Sequence, residues 1–320
     1  MHTFLQTCCK YELDVPDVLY HYCTVDTMLK IIQNSCIWLS DANKMNDKEE
    51  LRYFAYQMNE LVSKLLDKHQ KEFDSNLINE TRKILKKHIS SIVSESAYIV
   101  RNSRHYICCF SENGDLLSQW RAYGNDGKGV AIGFNARLLA KFSDLFNYDF
   151  IKVIYETEKN LQIKEYMEEN LVTVLSSATK ENNNIIEPEE LAAIEVPILN
   201  ERFAFKHPGF MEENEWRLYR IQNGNFDEDE DFLSRGAFSK QKIDCFLCSD
   251  LKFRCTDRDL LSYFEMEFKE CKEDIIKKIV IGPKCDINAM DLKILLKKYK
   301  YIDDVDSTSI EIKKSDIPYI

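Results

Sequence analysis

The sequence predicts an α+β fold with a mixed, mainly antiparallel central sheet, a long helical hairpin insertion and additional helices. Short apolar runs typical of strands are intermixed with amphipathic helical segments, without the regular strand–helix–strand alternation of α/β proteins. No internal repeat is present. The chain has 320 residues, of which 44% are hydrophobic, so it is long enough to bury a substantial core.

The first hundred residues predict two strands, a short helix and a helical hairpin. "DVLYHY" and "CIWLS" are typical of strands, and the apolar positions of "TVDTMLKIIQNS" have helical spacing. Two long amphipathic helices follow at about residues 48–100. Asp47 and Glu50 have the spacing of a capping box at the start of the first of these helices. We therefore expect a helical insertion between two parts of the sheet.

The rest of the chain predicts further strands separated by helices. A second mostly helical segment is expected at about residues 157–205. Elsewhere, "SENGDLLSQWRAYG" predicts a turn followed by a short helix, and "ARLLAKFSDLF" and "INAMDLKILLKKYK" predict helices. The predicted strands are "RHYICCF", "KGVAIGF", "FIKVIY", "NEWRLYRIQ", "KIDCFLC", "SYFEMEF", "IIKKIVIG" and "TSIEIK". Residues 1–320 are interpreted as a single catalytic domain.

Composition excludes several classes of protein. The sequence has no apolar run long enough to span a membrane, and its first residues lack a signal-peptide pattern. An odd number of cysteines, 11, among apolar neighbours favours reduced thiols and a cytoplasmic location. The net charge of −11 argues against a broad electrostatic grip on nucleic acid, although a local basic patch stays open.

Two motifs partly match patterns of a cofactor site or a metal site. "GNDGKGVAIGF" places its glycines before a strand, whereas the dinucleotide fingerprint needs them between a strand and a helix. Cys245, Cys248, Cys255 and Cys271 could supply thiolates to zinc, but their apolar setting favours buried free thiols. We expect no metal.

The run "FKHPGFMEENEWRLYR" carries the strongest indication of chemistry. On a strand, Glu213, Glu215 and Arg217 would share one face, with Trp216 and Leu218 on the other. Two interpretations stay open. The charged face is either an ordinary solvent face, or it lines a cleft in which one carboxylate is poised by the other and by the arginine.

Five runs, in this order, resemble a large bacterial family, domain of unknown function 2971. They are "LYHYCTVDTMLKIIQNSCIWLSDANKMND", "CFSENGDLLSQWRAYGNDGKGVAIGF", "FKHPGFMEENEWRLYR", "IVIGP" and "SDIPYI". Two residues depart from the family pattern. Lys48 stands where members often have proline, and Ile320 stands where they often have arginine, which puts a role for a terminal arginine in doubt.

That family is in turn similar to DarT-like ADP-ribosyltransferases, and the resemblance implies roles for individual residues. His21 would bond the ribose of NAD near the nicotinamide, and Tyr123 or Tyr22 would stack on the nicotinamide ring. Glu215 would be the catalytic carboxylate, with Glu213 two residues before it. The residues implied to shape or anchor the site are Asn46, Asp47, Trp120, Arg121 and Arg217.

Several of these positions also have purely structural interpretations when each is considered alone. His21, Tyr22 and Tyr123 could serve packing, and Asn46 and Asp47 could serve as helix caps.

The resemblance implies an NAD-dependent ADP-ribosyltransferase of a bacterial toxin or anti-phage defence type, with NAD as co-substrate and a protein or nucleic acid as acceptor. An antitoxin or defence-system protein would be its partner. The alternatives are an NAD glycohydrolase with the same site, a non-catalytic nucleotide-binding or sensor module, and a metal-independent nuclease using Glu213, Glu215 and His21.

Overall fold

In a computed structural model, the described residues are 15–44, 48–93, 103–146, 148–155, 161–181, 203–223, 241–257 and 259–319, with positions 186, 190 and 194. The chain divides into two compact units. The first contains Met1–Tyr11, Met45–Arg104 and Val153–Met211, and the second contains Glu12–Lys44, His105–Lys152 and Glu212–Ile320. The interpretation of the chain as one catalytic domain stays a prediction.

The first unit is built largely from helices. Its main described helices are α2 (Lys48–His69), α3 (Ser75–Val93) and α6 (Leu161–Glu181). The first two pack against each other and lie between two strands of the sheet in chain order, which confirms the predicted helical hairpin. Lys68 and His69 at the end of α2 both contact Glu168 of α6, so the third helix is fastened to the hairpin.

The second unit is built around one sheet. Its strands are β1 (Val18–Cys23), β2 (Cys36–Asp41), β3 (Ser103–Ser111), β4 (Val130–Asn135), β5 (Asp149–Lys152), β6 (Glu215–Asn223), β7 (Gln241–Ile243), β8 (Phe246–Cys248), β9 (Lys252–Cys255), β10 (Leu260–Glu267), β11 (Ile276–Ile281) and β12 (Glu311–Lys314). Their order is β12-β11-β4-β1-β3-β2-β10-β8-β7, with β6 on β3, β5 on β6 and β9 on β10. Of the strand pairs with a described register, β11 with β12 is parallel and the others are antiparallel. The predicted α+β class is therefore confirmed.

The helices of this unit are α1 (Val25–Asn34), α4 (Leu117–Ala122), α5 (Ala136–Phe146), α7 (Lys272–Ile275) and α8 (Ala289–Lys298). Helix α1 joins β1 to β2. The Thr24 hydroxyl accepts the Thr27 N–H at its start, and Ser35 ends it in a left-handed conformation with φ 54°. Met28, Ile31 and Ile32 of α1 are buried in the main hydrophobic cluster, as the helical spacing predicts.

Two local predictions differ from the structure. "KIDCFLC" forms a tight hairpin of β7 and β8 rather than one strand, because Asp244 turns the chain with a positive φ of 52°. Strand β9 was not predicted, since its sequence "KFRC" has only 4 residues, in which basic and apolar residues alternate without forming an apolar run. Within the described ranges, no helix is both long and apolar enough to cross a membrane.

Candidate functional site

The sheet forks at the middle of β3. This strand has three partners, because β6 pairs with it, β1 meets it at Ser111, and β2 meets it at Tyr106 and Ile107. A strand has two edges, so two partners share one of them, and β1 meets the last residue of β3 whereas β2 meets its middle. Cys109 and its neighbours therefore lie where β1 and β2 diverge. We call this place the fork.

His21 lies in the fork. Its Nδ1 is 3.0 Å from the carbonyl oxygen of Cys109, and its ring contacts Phe110. Because a carbonyl only accepts, Nδ1 carries the hydrogen and Nε2 carries the lone pair in the neutral ring. Burial lowers the pKa of His21 below its ordinary 6.5, against the opposing effect of the Cys109 hydrogen bond. The neutral imidazole therefore predominates at neutral pH.

Glu215 and Arg217 form a buried ion pair on β6. The Arg217 Nε and Nη2 donate to the two carboxylate oxygens of Glu215 at 2.7 and 3.1 Å. Glu215 is 5% exposed and Arg217 is 2% exposed. The interpretation of this face as an ordinary solvent face is therefore wrong. Trp216 and Leu218 join the main hydrophobic cluster on the opposite face, so the predicted alternation is correct.

Glu213 does not share that strand face as predicted. It ends a 3₁₀ turn, Pro208–Glu213, and β6 begins only at Glu215. Asn214 between them has a positive φ of 41°, which interrupts the period-two alternation. Glu213 is nevertheless buried, and its carbonyl accepts the Ser111 hydroxyl at 2.6 Å. The two glutamates are thus held by different backbone geometries.

Cys109 connects the two principal predicted residues. Its carbonyl accepts from His21, and its thiol contacts the carboxylate of Glu215. Burial and the adjacent Glu215 raise the pKa of the Cys109 thiol well above its ordinary range, so the thiol keeps its hydrogen. Sequence reasoning missed Cys109, because "ICCF" carries only the signal of a buried strand. The structure thus brings His21 and Glu215 to the same residue.

Trp38 is a second residue that sequence reasoning missed. It lies on β2 two residues before Ser40, which pairs with Ile107 of β3. By alternation its side chain lies on the same face of the sheet as Ile107 and Cys109. Its half-buried ring packs 4.5 Å from the ring of Tyr263. The sequence signal that could have indicated Trp38 was a single tryptophan in the strand "CIWLSD".

Tyr22 and Trp120 are held by packing. Their rings meet edge to face at 4.7 Å and form a small cluster with Ala131 and Val280. Trp120 is fully buried, and the Tyr22 hydroxyl donates to the Asn113 carbonyl while accepting the Leu116 N–H. The structure therefore gives these two predicted residues a supporting position beside the fork. Neither ring is exposed for stacking on a ligand.

The segment 315–319 fastens this cluster. Asp115 accepts hydrogen bonds from the Trp120 Nε1 at 2.7 Å, the Ser315 hydroxyl at 2.6 Å and the Asp316 N–H at 2.8 Å. Two of the quoted runs, the one with "SENGDLLSQW" and the terminal "SDIPY", are thus in direct contact. We call residues 315–319 the clasp.

Arg121 and Tyr123 lie on the exposed side of the clasp. The Arg121 guanidinium is 5.6 Å from the Tyr319 ring, and Tyr123 is 50% exposed. The Tyr319 hydroxyl donates to Asp126 at 2.5 Å, and Lys284 bonds the other oxygen of that carboxylate at 3.0 Å. Of the predicted aromatic residues, Tyr123 is therefore the one accessible to a ligand. Asn46 and Asp47 lie outside the described residues.

The glycines of "GNDGKG" serve packing. A Cβ on Gly129 would lie 2.2 Å from the Cys23 carbonyl oxygen, and one on Gly124 would lie 2.6 Å from the Trp120 ring. Gly127 adopts a φ of 83°, which other residues rarely adopt. The space beside Gly124 and Gly129 is filled by the protein itself and leaves no room there for a dinucleotide.

In the described part of the chain, no group of three or more His, Cys, Asp or Glu side chains is arranged to hold a metal ion. Of the cysteines considered for zinc, Cys245 and Cys271 contact each other, and the other two lie elsewhere. Cys248 is buried beside the Tyr148 hydroxyl, and Cys255 is exposed on β9.

Residues 119–218, about a third of the chain, match the model of a family described as protein of unknown function DUF2971. The matched range runs from α4 to the middle of β6 and includes the Glu215–Arg217 pair. No curated protein and no solved structure matches the chain significantly.

Proposed function

We propose that the fork is a nucleotide site and that the protein is an NAD-dependent ADP-ribosyltransferase. It would act in the cytoplasm as a bacterial toxin or anti-phage defence enzyme and modify a macromolecular acceptor, either protein or nucleic acid. The proposal is carried by one observation. His21 and Glu215, which are far apart in the chain, both contact Cys109 where the sheet divides.

The buried carboxylate suits the chemistry. Breaking the bond between nicotinamide and ribose develops positive charge on the sugar, as in glycoside hydrolysis. A fixed carboxylate stabilises that charge, and a single well-aimed group contributes about 3 kcal/mol. Arg217 fixes the orientation of the Glu215 carboxylate through two hydrogen bonds. An ionised carboxylate has about four lone-pair positions, so pairing with Arg217 does not by itself use up its capacity to accept a ribose hydroxyl.

The neutral imidazole suits a ribose as well. With Nδ1–H bonded to Cys109, the lone pair on Nε2 can accept a hydrogen bond from a sugar hydroxyl. The imidazole is uncharged at neutral pH, so it adds no repulsion to the developing cation. Tyr123, which is 50% exposed beside the clasp, is the predicted aromatic residue that could stack on the nicotinamide ring.

The acceptor must lose a proton as it attacks the sugar. Glu213, at the end of the 3₁₀ turn, or Glu215, at the start of β6, would take this proton, since both are buried carboxylates. With water as the acceptor, the same groups would make the protein an NAD glycohydrolase.

A non-catalytic nucleotide-binding module is the second candidate. The observation that favours it is the bidentate ion pair, because Arg217 neutralises much of the field that Glu215 would direct at a developing cation. In that case, the fork would bind the nucleotide without cleaving it.

The decisive experiment measures NAD consumption and nicotinamide release by purified protein, with labelled NAD and cell extract as a source of acceptors. We expect Glu215→Gln to reduce the rate at least a hundredfold while the protein stays folded. Glu267→Gln is the matched control, since Glu267 is also a largely buried glutamate paired with a cation, Lys269. Nucleotide binding without consumption by the unaltered protein would favour the binding module, and consumption by Glu215→Gln at the full rate would refute the assignment.

A further inference from the structure

Arg254 on β9 has an unusual environment. Its guanidinium lies 5.1 Å from the centre of the Trp38 ring, and its Nε is buried without a hydrogen-bond partner in the described part of the chain. A buried donor without a partner is unfavourable relative to a bonded one. An arginine that only served packing would be expected to satisfy this donor, so the unbonded Nε suggests a missing acceptor.

Among the described residues, no carboxylate forms an ion pair with Arg254. Lys252, two residues earlier on the same strand, is neutralised by Glu265 at 2.5 Å. The Trp38 ring carries no charge, so its contact with Arg254 does not neutralise the guanidinium. The site is thus locally positive in a protein whose net charge is −11. A local basic centre of this kind attracts an anion even when the whole chain is acidic.

The strand register places Arg254 on the same face of the sheet as the Cys109 side chain, whereas His21 lies on the opposite face with Phe110. Tyr263 of β10 pairs with Lys252 on one side and with Ser40 of β2 on the other. Ser40 pairs in turn with Ile107 of β3, two residues from Cys109. Side chains of paired residues share a face, and Arg254 and Trp38 lie two residues from Lys252 and Ser40. Trp38 thus lies between Arg254 and the divergence of β1 and β2.

We propose that Arg254 and Trp38 form the subsite for the diphosphate of a nucleoside diphosphate bound at the fork. This inference rests on the proposed function and assigns the diphosphate to Arg254 rather than to Arg121, which lies over the clasp residue Tyr319. The planar guanidinium presents parallel N–H donors that match two phosphate oxygens. A phosphate oxygen would also supply the acceptor that Nε lacks.

Tryptophan fluorescence can test the subsite, because Trp120 and Trp216 are fully buried whereas Trp38 is half-buried. The probes are ADP-ribose and inorganic pyrophosphate, which carry the diphosphate, and nicotinamide, which does not. We expect Arg254→Gln to weaken both diphosphate probes about 10- to 100-fold, as for the loss of charge-assisted hydrogen bonds, and to leave nicotinamide affinity unchanged. Arg254→Lys should restore part of the loss.

Arg137→Gln is the control, because Arg137 is an exposed arginine paired with Asp17. Unchanged affinity of Arg254→Gln for both diphosphate probes, equal weakening of all three probes, or no binding of the diphosphate probes by the unaltered protein would overturn the subsite. Arg254-dependent binding of ADP-ribose without NAD consumption would support the subsite and refute the transferase. NAD consumption with the KM for NAD unchanged in Arg254→Gln would support the transferase and refute the subsite.

Discussion

The Nδ1 atom of His21 lies 3.0 Å from the carbonyl oxygen of Cys109, so a side chain of β1 bonds the backbone of β3 where the two strands separate. In an unbroken sheet, an N–H of the neighbouring strand would fill that position. The imidazole therefore replaces one hydrogen bond between strand backbones, and its Nε2 atom takes no part in this contact.

The first prediction concerns the charge of His21. Because burial lowers its folded-state pKa below 6.5, unfolding takes up a proton when the pH falls below that value. The stability that the neutral ring contributes is full above about pH 6.5 and is lost as the pH falls toward the folded-state pKa. Urea unfolding at pH 7.5 and 5.5 should show this loss in the unaltered protein, and His21→Asn should reduce it. An NMR titration of His21 with a pKa above 6.5 would contradict the prediction.

The second prediction concerns the pair Glu215–Arg217. Arg217→Met leaves a buried carboxylate without its cation and should lower the free energy of unfolding by about 3–5 kcal/mol. The double variant Glu215→Gln with Arg217→Met removes both charges and should recover part of the loss. Arg137→Met, which breaks an exposed pair, should change stability little. Equal effects of Arg217→Met and Arg137→Met in urea unfolding would show that the buried pair is unimportant for stability.

The third prediction concerns the clasp. Tyr319→Phe keeps the ring against Lys284 and Arg121 but removes the hydroxyl that bonds Asp126. Asn125, Asp126 and Gly127 adopt positive φ angles, so this turn depends on contacts that hold it. Hydrogen exchange at residues 121–128 should therefore accelerate in Tyr319→Phe. Tyr299→Phe, at the end of α8, is the control, and identical exchange in the two variants would be evidence against the clasp.

The fourth prediction concerns the first unit. His69 bonds Glu72 through Nδ1 at 3.0 Å and Glu168 through Nε2 at 2.8 Å. The hydrogen bonds to Glu72 and then Glu168 raise the pKa of His69, so the folded state holds the proton more tightly than the unfolded chain does. This contribution to stability is full below about pH 6.5 and is lost as the pH rises through the raised pKa. The free energy of unfolding, measured at pH 5.5 and 8.5, should show a pH dependence that His69→Gln removes. An unchanged pH dependence in that variant would refute this contribution of His69.

Much of the fold could be predicted because its determinants are local. The α1 segment has a capping threonine and helical apolar spacing, and both strands beside it have clear apolar runs. The hairpin of β7 and β8 was missed because a positive φ at Asp244 carries a weak signal in the sequence. Glu213 was placed on β6 for the same reason, since a left-handed Asn214 cannot be recognised from alternation alone.

The candidate site was only partly predictable because it depends on contacts between distant segments. His21, Glu215 and Arg217 were selected from short motifs, and the structure brings all three to the fork or beside it. Cys109 and Arg254 carried no motif, since their importance comes from which strands lie next to them. Trp120 was assigned to the ligand, but a tryptophan that bonds Asp115 and is fully buried has the environment of a core residue.

Both faces of strand β6 are buried from Glu215 to Tyr219, because the side chains of one face join the hydrophobic cluster and those of the other face include the ion pair. Five consecutive positions of this strand therefore have little mutational tolerance, for alternating reasons of shape and charge. A library of all single substitutions across β6 should consequently show that substitutions are poorly tolerated at five consecutive positions. A strand with one solvent-exposed face would instead tolerate substitutions at every second position.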